Sequence, residues 1–103
     1  MSALIQFAIF PTDKGESVGK EVSEVIKMID QSGISYKLTP MGTIIETETL
    51  IEGLGIINRA YEILEPVSQR VYATVSIDVR KNTSNRMNSK IQSSENRIGP
   101  VKK

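Results

Sequence analysis

Residues 3–10 and 71–80 each separate into two alternating sets of side chains, a period-two pattern that is typical of β-strands. In 71–80 every odd position is apolar and the even positions are mainly polar, which is the clearest strand pattern in the chain. In 3–10 both sets are largely apolar. A strand with two apolar faces is predicted to lie at the centre of a sheet.

Two other stretches carry apolar side chains at helical spacing, so each predicts an amphipathic helix. The first begins with Ser17 as its N-cap and ends at Gly33. The second begins with a capping box formed by Thr49 and Glu52, and Pro66 ends it. The two apolar stripes consist of Val18, Val22, Val25, Ile26 and Ile29, and of Leu50, Leu54, Ile57, Tyr61 and Leu64.

A hairpin is predicted between these helices, with Ile34–Thr39 paired with Thr43–Thr47. Pro40 and Gly42 supply the turn chemistry that joins the two strands. The element order is therefore strand–helix–strand–strand–helix–strand. This order packs most economically as an α+β, ferredoxin-like βαββαβ sandwich. Its antiparallel sheet has the predicted strand order 4-1-3-2, and both helices cover one face.

The length of 103 residues predicts a single domain. Residues 1–81 form the predicted sandwich, and residues 82–103 are polar and basic. Met87, Ile91 and Ile98 indicate a weak C-terminal helix in this tail. We expect the tail to be part of the same domain or of an oligomer interface.

The helices leave the second face of the predicted sheet uncovered, so the composition of that face is informative. It mixes polar side chains with large apolar ones, and such a surface is too apolar to be left in water. We expect it to meet a second copy of the chain, in a homo-oligomer, or to bind a ligand. Its polar members are Gln6, Glu46, Ser76 and Asp78, and its apolar members are Leu4, Phe10, Ile44 and Tyr72.

Charge and composition narrow the function classes. The 13 basic and 12 acidic residues give a net charge of +1, so no overall field attracts nucleic acid. The sequence has no histidine and no cysteine, which removes the commonest general base and the usual transition-metal ligands. No apolar run approaches the roughly 20 residues of a membrane span. We expect a cytosolic, non-catalytic protein with no metal and no required cofactor.

Several short motifs then give the chain a family resemblance over nearly its whole length. The most specific motif is Tyr36-x-Leu38-x-Pro40-Met41-Gly42-Thr43-x-x-Glu46. The other matches are Pro11, Ser17-Val18, Gly33, Arg70 and Asp78-x-Arg80. With these motifs the chain resembles the family of small ferredoxin-like proteins that are described as thiamine-binding. The resemblance implies cytosolic oligomers, often dimers of dimers, that bind thiamine or its hydroxymethylpyrimidine half and have no known catalysis.

An aminopyrimidine requires hydrogen-bond donors and acceptors beside a flat apolar surface. Gln6 offers a donor and an acceptor together on the central strand, which makes it the most diagnostic residue. Hydroxyl groups, a carboxylate and an apolar surface would come from the hairpin, the last strand and the core residue Phe7. The predicted ligand-binding set is Gln6, Tyr36, Met41, Thr43, Glu46, Ser76 and Asp78.

Ordinary structural roles stay open for several of these residues. Phe7 and Met41 both fit a simple core, and Thr43 can satisfy the turn beside it. Asp78 fits an ion pair at a strand end, with Arg80 as a candidate partner. The topology also predicts an end of the sandwich that favours an anion, near the N-terminus of the first helix, and an acidic end that favours a cation.

Other protein classes share the predicted topology. An RNA-binding module would stack bases on aromatic residues of its central strands, and residues 43–47 contain no aromatic residue. An acyl-phosphate hydrolase would need an arginine in the first loop, and residues 11–16 contain none. An ACT-like regulatory module that senses an amino acid or another metabolite stays open beside thiamine binding.

Overall fold

The computed structural model describes residues 1–13, 19–82 and 86. The elements are β1 Ser2–Pro11, α1 Gly19–Ser32, β2 Ser35–Thr39, β3 Gly42–Thr47, α2 Leu50–Leu64, a 3-10 turn Glu65–Val67 and β4 Val71–Arg80. They form one antiparallel sheet with the strand order β2-β3-β1-β4, so the predicted ferredoxin-like sandwich is confirmed. The predicted N-cap at Ser17 and the predicted helix over 87–98 lie outside the described residues.

Strand β1 lies between β3 and β4, and its position explains why both of its faces are apolar. Ile5 pairs with Ile45 of β3 and with Ile77 of β4. Side chains alternate across a strand, so the odd-numbered residues of β1 face the helices with Ile5. The even-numbered residues of β1, β3 and β4 point away from the helices, and we call the surface that they form the open face.

The core lies between the sheet and the two helices. Ile5, Ile29, Ile45 and Leu64 are completely buried, and each contributes roughly 1.5–3 kcal/mol by leaving water. Phe7 is also buried, which confirms its predicted place in the core. The complete cluster is Ile5, Phe7, Val25, Met28, Ile29, Ile45, Ile56, Ala60 and Leu64.

The hairpin between β2 and β3 turns at Pro40 and Met41, as the sequence predicts. The Thr39 hydroxyl accepts a hydrogen bond from the Met41 amide at 3.2 Å and donates to the Gly42 carbonyl at 2.8 Å. Gly42 has a φ of 150°, a conformation that favours glycine. Met41 is 79% exposed at the tip of the turn, so its expected core role is wrong.

Helix α2 begins at the predicted cap and packs closely on β1. The Thr49 hydroxyl accepts a hydrogen bond from the Glu52 amide at 3.2 Å. It also donates to the Glu52 carboxylate at 2.9 Å. In a full capping box the same carboxylate would accept a hydrogen bond from the Thr49 backbone amide. Gly53 lies so close to the sheet that an added Cβ would overlap Cδ1 of Ile5. This close approach fixes the distance between α2 and the central strand.

Candidate functional site

Gln6 lies at the centre of the open face, between Ile44 of β3 and Ser76 of β4 in one row. Its side chain is exposed, and within the described residues no other side chain hydrogen-bonds its amide. A shallow pocket of about 200 Å³, the Gln6 pocket, opens here and is lined by Leu4, Gln6, Ile44, Ser76, Ile77 and Asp78. The pocket therefore offers an amide and a hydroxyl above an apolar floor, which suits the edge of a flat heterocycle.

Glu46 and Asp78 lie on either side of β1 in the next row of the open face, and both carboxylates are engaged. The Ser2 hydroxyl donates to Glu46 Oε2 at 2.6 Å, and the Arg86 amide donates to the same oxygen at 2.9 Å. Arg86 Nη1 forms an ion pair with Asp78 Oδ2 at 2.9 Å. Asp78 therefore forms an ion pair at this strand end, as expected, but the partner in this ion pair is Arg86 and not the candidate Arg80.

Arg86 is only 4% exposed, although it carries a charge. Its Nε donates to the Ser2 hydroxyl at 3.2 Å, and its Nη2 donates to the Ser2 carbonyl at 2.9 Å. Nη2 also donates to the Asp78 carbonyl. The contact with Ser2 spans 84 positions of the sequence, so no local pattern could have predicted it. Ser2 and Arg86 are therefore site residues that sequence reasoning missed.

The remaining predicted ligand residues lie on other surfaces. Tyr36 and Thr43 occupy the helix-facing side of the sheet, because they pair with Ile45 and Phe7. Met41 and Thr43 line a second, apolar groove of about 520 Å³ between α1 and the hairpin. The structure thus gathers four of the predicted residues on the open face and separates the other three from them. The ligand-binding role of all seven stays a prediction.

Tyr36 is held at the surface by Asp30 of α1. The Tyr36 hydroxyl donates to Asp30 Oδ1 at 2.7 Å. This hydrogen bond, followed by desolvation and by the negative charge of the carboxylate, raises the pKa of Tyr36 above its ordinary value. Because the folded state holds the phenol proton more tightly, the resulting stabilisation is present at neutral pH. It is lost as the pH rises through the raised pKa of Tyr36.

Replacing Asp30 by Asn is expected to lower the pKa of Tyr36 towards its ordinary value. The amide can still accept the hydrogen bond, but it no longer opposes phenolate formation with a negative charge. An alkaline titration of tyrosinate absorbance measures the change, and Tyr36→Phe identifies the step that belongs to this residue. Superimposable titrations of the native protein and Asp30→Asn would contradict the assignment.

The end of the sandwich that contains the loop after β1 is the end where the sequence predicts an anion site, and it contains a carboxylate. Asp13 accepts hydrogen bonds from the Ser68 hydroxyl at 2.5 Å and from the Gln69 amide at 2.8 Å. These contacts tie the loop after β1 to the start of β4. The negative charge of Asp13 disfavours an anion beside it. Ser17, where the sequence predicts the helix N-terminus with its free N–H groups, lies outside the described residues.

Fold and open face together define a class of protein. It is a small ferredoxin-like α+β domain in which one face of the sheet is not covered by α1 or α2 and presents hydrogen-bonding groups in a shallow pocket. Across 1–13, 19–82 and 86, no group of three or more histidine, cysteine or acidic side chains is arranged to hold a metal. Over the same ranges, no helix is both long enough and apolar enough to cross a membrane.

Comparison with known proteins gives the family. The family model described as thiamine-binding protein matches residues 5–95, and the chain belongs to this family. A UPF0045 protein of Mycobacterium bovis is 33% identical over 95 residues, which cover 92% of this chain and 93% of that protein. A UPF0045 protein of Staphylococcus xylosus is 31% identical over 100 residues, which cover 90% and 92% of the two chains. None of these names describes a reaction.

Solved structures share the fold. A hypothetical protein of Methanocaldococcus jannascii superposes with a TM-score of 0.79 at 27% identity, covering 97% of this chain and 98% of that one. A Thermotoga maritima protein superposes with a TM-score of 0.77 at 17% identity, covering 91% and 99%. The name of the Thermotoga protein proposes a role in thiamine biosynthesis or salvage. At this identity the likeness shows the fold alone.

Proposed function

We propose that this chain is a non-catalytic, cytosolic binding protein that holds thiamine, or its hydroxymethylpyrimidine half, in the Gln6 pocket. The observation that carries the proposal is the pairing of Gln6 with Ser76 on the face of the sheet away from α1 and α2, in a member of the thiamine-binding protein family. The polar groups of the pocket match an aminopyrimidine, and its size matches one ring better than two.

The match to an aminopyrimidine is chemical. The ring carries an exocyclic amine beside a ring nitrogen, which form a donor and an acceptor on one edge. The Gln6 amide offers the complementary acceptor and donor, and the Ser76 hydroxyl can serve as either. Leu4 and Ile44 supply apolar contact below the ring. A volume of about 200 Å³ lies below the roughly 300–1,000 Å³ of sites for drug-sized ligands.

We further propose that a second copy of the chain covers the open face, giving a dimer or a dimer of dimers. Phe10 and Tyr72 form an aromatic pair there, with ring centroids 5.8 Å apart, and both rings are exposed in the single chain. Apolar surface of this kind is usually buried against a partner.

Neither nucleic acid nor a membrane is part of the proposal. Residues 82–103 would be part of the same domain or of an oligomer interface, and the contacts of Arg86 with Glu46 and Ser2 favour the first.

Isothermal titration of the native protein with thiamine and with hydroxymethylpyrimidine tests the proposal. Replacing Gln6 by Leu is expected to weaken binding by about 1–3 kcal/mol, or roughly 5- to 150-fold, because it leaves a polar group of the ligand unpaired. The matched variant Thr43→Val removes a hydroxyl from the second groove and is expected to bind like the native protein.

The opposite pattern, with Thr43→Val weakened and Gln6→Leu unchanged, would transfer the site to the second groove. If the folded native protein gives no saturable heat of binding with either compound, thiamine binding itself is contradicted. The ACT-like alternative, a sensor of an amino acid or another metabolite, would then be the hypothesis to test.

A further inference from the structure

The two ends of the open face differ in charge. Gln6 and Ser76, which pair at the Gln6 pocket, carry neutral polar groups, whereas the adjoining row contains the carboxylates of Glu46 and Asp78. Two residues along a strand span only about 7 Å, so a ligand in the pocket lies within reach of the field of both carboxylates. Asp78 belongs to both regions, because it lines the pocket and forms the ion pair with Arg86.

Arg86 is placed to offset part of that field. Its guanidinium is paired with Asp78 Oδ2 at 2.9 Å, and its backbone amide donates to Glu46 Oε2 at 2.9 Å. The guanidinium is also buried, so water and salt screen its charge weakly. The side chain of Asp78, by contrast, is 54% exposed. The charge of Asp78, which lines the pocket, therefore acts on a ligand there, and the paired charge of Arg86 offsets it.

We propose that Arg86 sets the charge preference of the Gln6 pocket. By pairing with Asp78 it offsets one of the two carboxylate charges beside the pocket, so the preference of the pocket for a cationic ligand over an uncharged aminopyrimidine is weaker than the two carboxylates alone would give. The inference rests on the proposed function and names the feature that selects between its two ligands. Thiamine carries a permanent positive charge on its thiazolium ring, and hydroxymethylpyrimidine is neutral at neutral pH. The two compounds share the pyrimidine ring and differ in the charged thiazolium ring, so a change in the ratio of their affinities between variants reports the effect of charge on the thiazolium.

The test is the ratio of thiamine affinity to hydroxymethylpyrimidine affinity, measured by calorimetry in the native protein and in variants. Arg86→Gln removes the positive charge paired with Asp78 and is expected to shift the ratio about ten-fold towards thiamine. Asp78→Asn removes a negative charge that lines the pocket and is expected to shift the ratio by a similar factor towards hydroxymethylpyrimidine. The second variant alters a half-exposed side chain, so it keeps the proposal testable if Arg86→Gln does not fold.

Arg80→Gln is the matched control. Arg80 lies opposite Ser2 on the same face and the same end of β4, but it is exposed. Its removal subtracts the same charge from a screened position and is expected to leave the ratio within about three-fold of the native value. Purely structural damage would weaken both compounds together and leave the ratio unchanged.

An unchanged ratio in both Arg86→Gln and Asp78→Asn, with binding of either compound retained, would overturn the role of Arg86 alone. An equal shift in Arg80→Gln would also overturn it, because net charge would then explain the effect. Absence of binding of both compounds to the native protein would overturn the proposed function, and the charge preference with it.

Discussion

Ile5→Ala is expected to cost about 2–5 kcal/mol of unfolding free energy. Ile5 is completely buried in the middle of the sheet, and its Cδ1 fills the space that Gly53 leaves beneath α2. The cost combines the lost burial of the side chain with a cavity that the closely packed helix cannot close. Small domains have a total stability of roughly 5–15 kcal/mol. We therefore expect a melting temperature lower by about 10 °C or more.

Ile77→Ala is the matched control for this prediction. Ile77 pairs with Ile5 across the same row of the sheet, but it is 45% exposed. The same atoms are deleted from a site that water already reaches, so the loss should be about 1 kcal/mol or less. Chemical denaturation measures both variants. Equal losses would show that the core does not lie between β1 and α2 as described.

Gly42→Ala is expected to be the second large loss, about 2–4 kcal/mol of unfolding free energy. The φ of 150° at Gly42 disfavours any side chain, and an added Cβ would lie 2.7 Å from the backbone oxygen of Phe7. A backbone atom cannot rotate away, so β3 must shift relative to β1. That shift would occur beside the row that holds Gln6, and weaker binding of the pyrimidine ligand is expected to accompany the loss.

Gly55→Ala provides the comparison in the same assay. Gly55 lies inside α2, and an added Cβ there meets no described atom within 4 Å. Alanine is the better helix former, so this substitution should stabilise the protein by roughly 0.5–1 kcal/mol. A destabilised Gly55→Ala together with a native-like Gly42→Ala would contradict the packing of both glycines.

Most of the fold could be predicted from periodicity. The alternation in 3–10 and 71–80 identified the central strand and its neighbour, and the Pro40–Gly42 turn identified the hairpin. The residues of the open face could be predicted from the alternation of odd and even positions alone, because a strand places every second side chain on one side of the sheet. Gln6 and Ser76 share a row for that reason.

The candidate site could be predicted only in part. The alternation of side chains assigned Gln6 and Asp78 to the open face, and along β3 it already puts Thr43 on the other side of the sheet. Alternation alone does not give the side of Tyr36, which depends on the register of β2 with β3. Tyr36 and Thr43 entered the predicted set through ligand chemistry and family resemblance, neither of which contains geometry. Arg86 was missed because its contacts cross most of the chain and come from a segment without strong periodicity.

The charge balance at the acidic end of the sandwich shows the consequence of missing Arg86. The sequence predicts an end of the sandwich that attracts a cation, on the strength of Glu46 and Asp78. In the structure the chain supplies its own cation there, the buried Arg86. A carboxylate that is already paired is a weaker ligand for a second cation, because the new contact must displace or share the existing one.

The central claim is that the Gln6 pocket binds a thiamine-related ring, and chemical-shift mapping tests it most directly. Isotope-labelled protein is titrated with hydroxymethylpyrimidine, and the shifts of the backbone amides are followed residue by residue. Our account predicts that the largest saturable shifts occur at Gln6, Ile44 and Ser76. Shifts confined to residues 38–43, which line the second groove, or a spectrum that does not change at all, would contradict it.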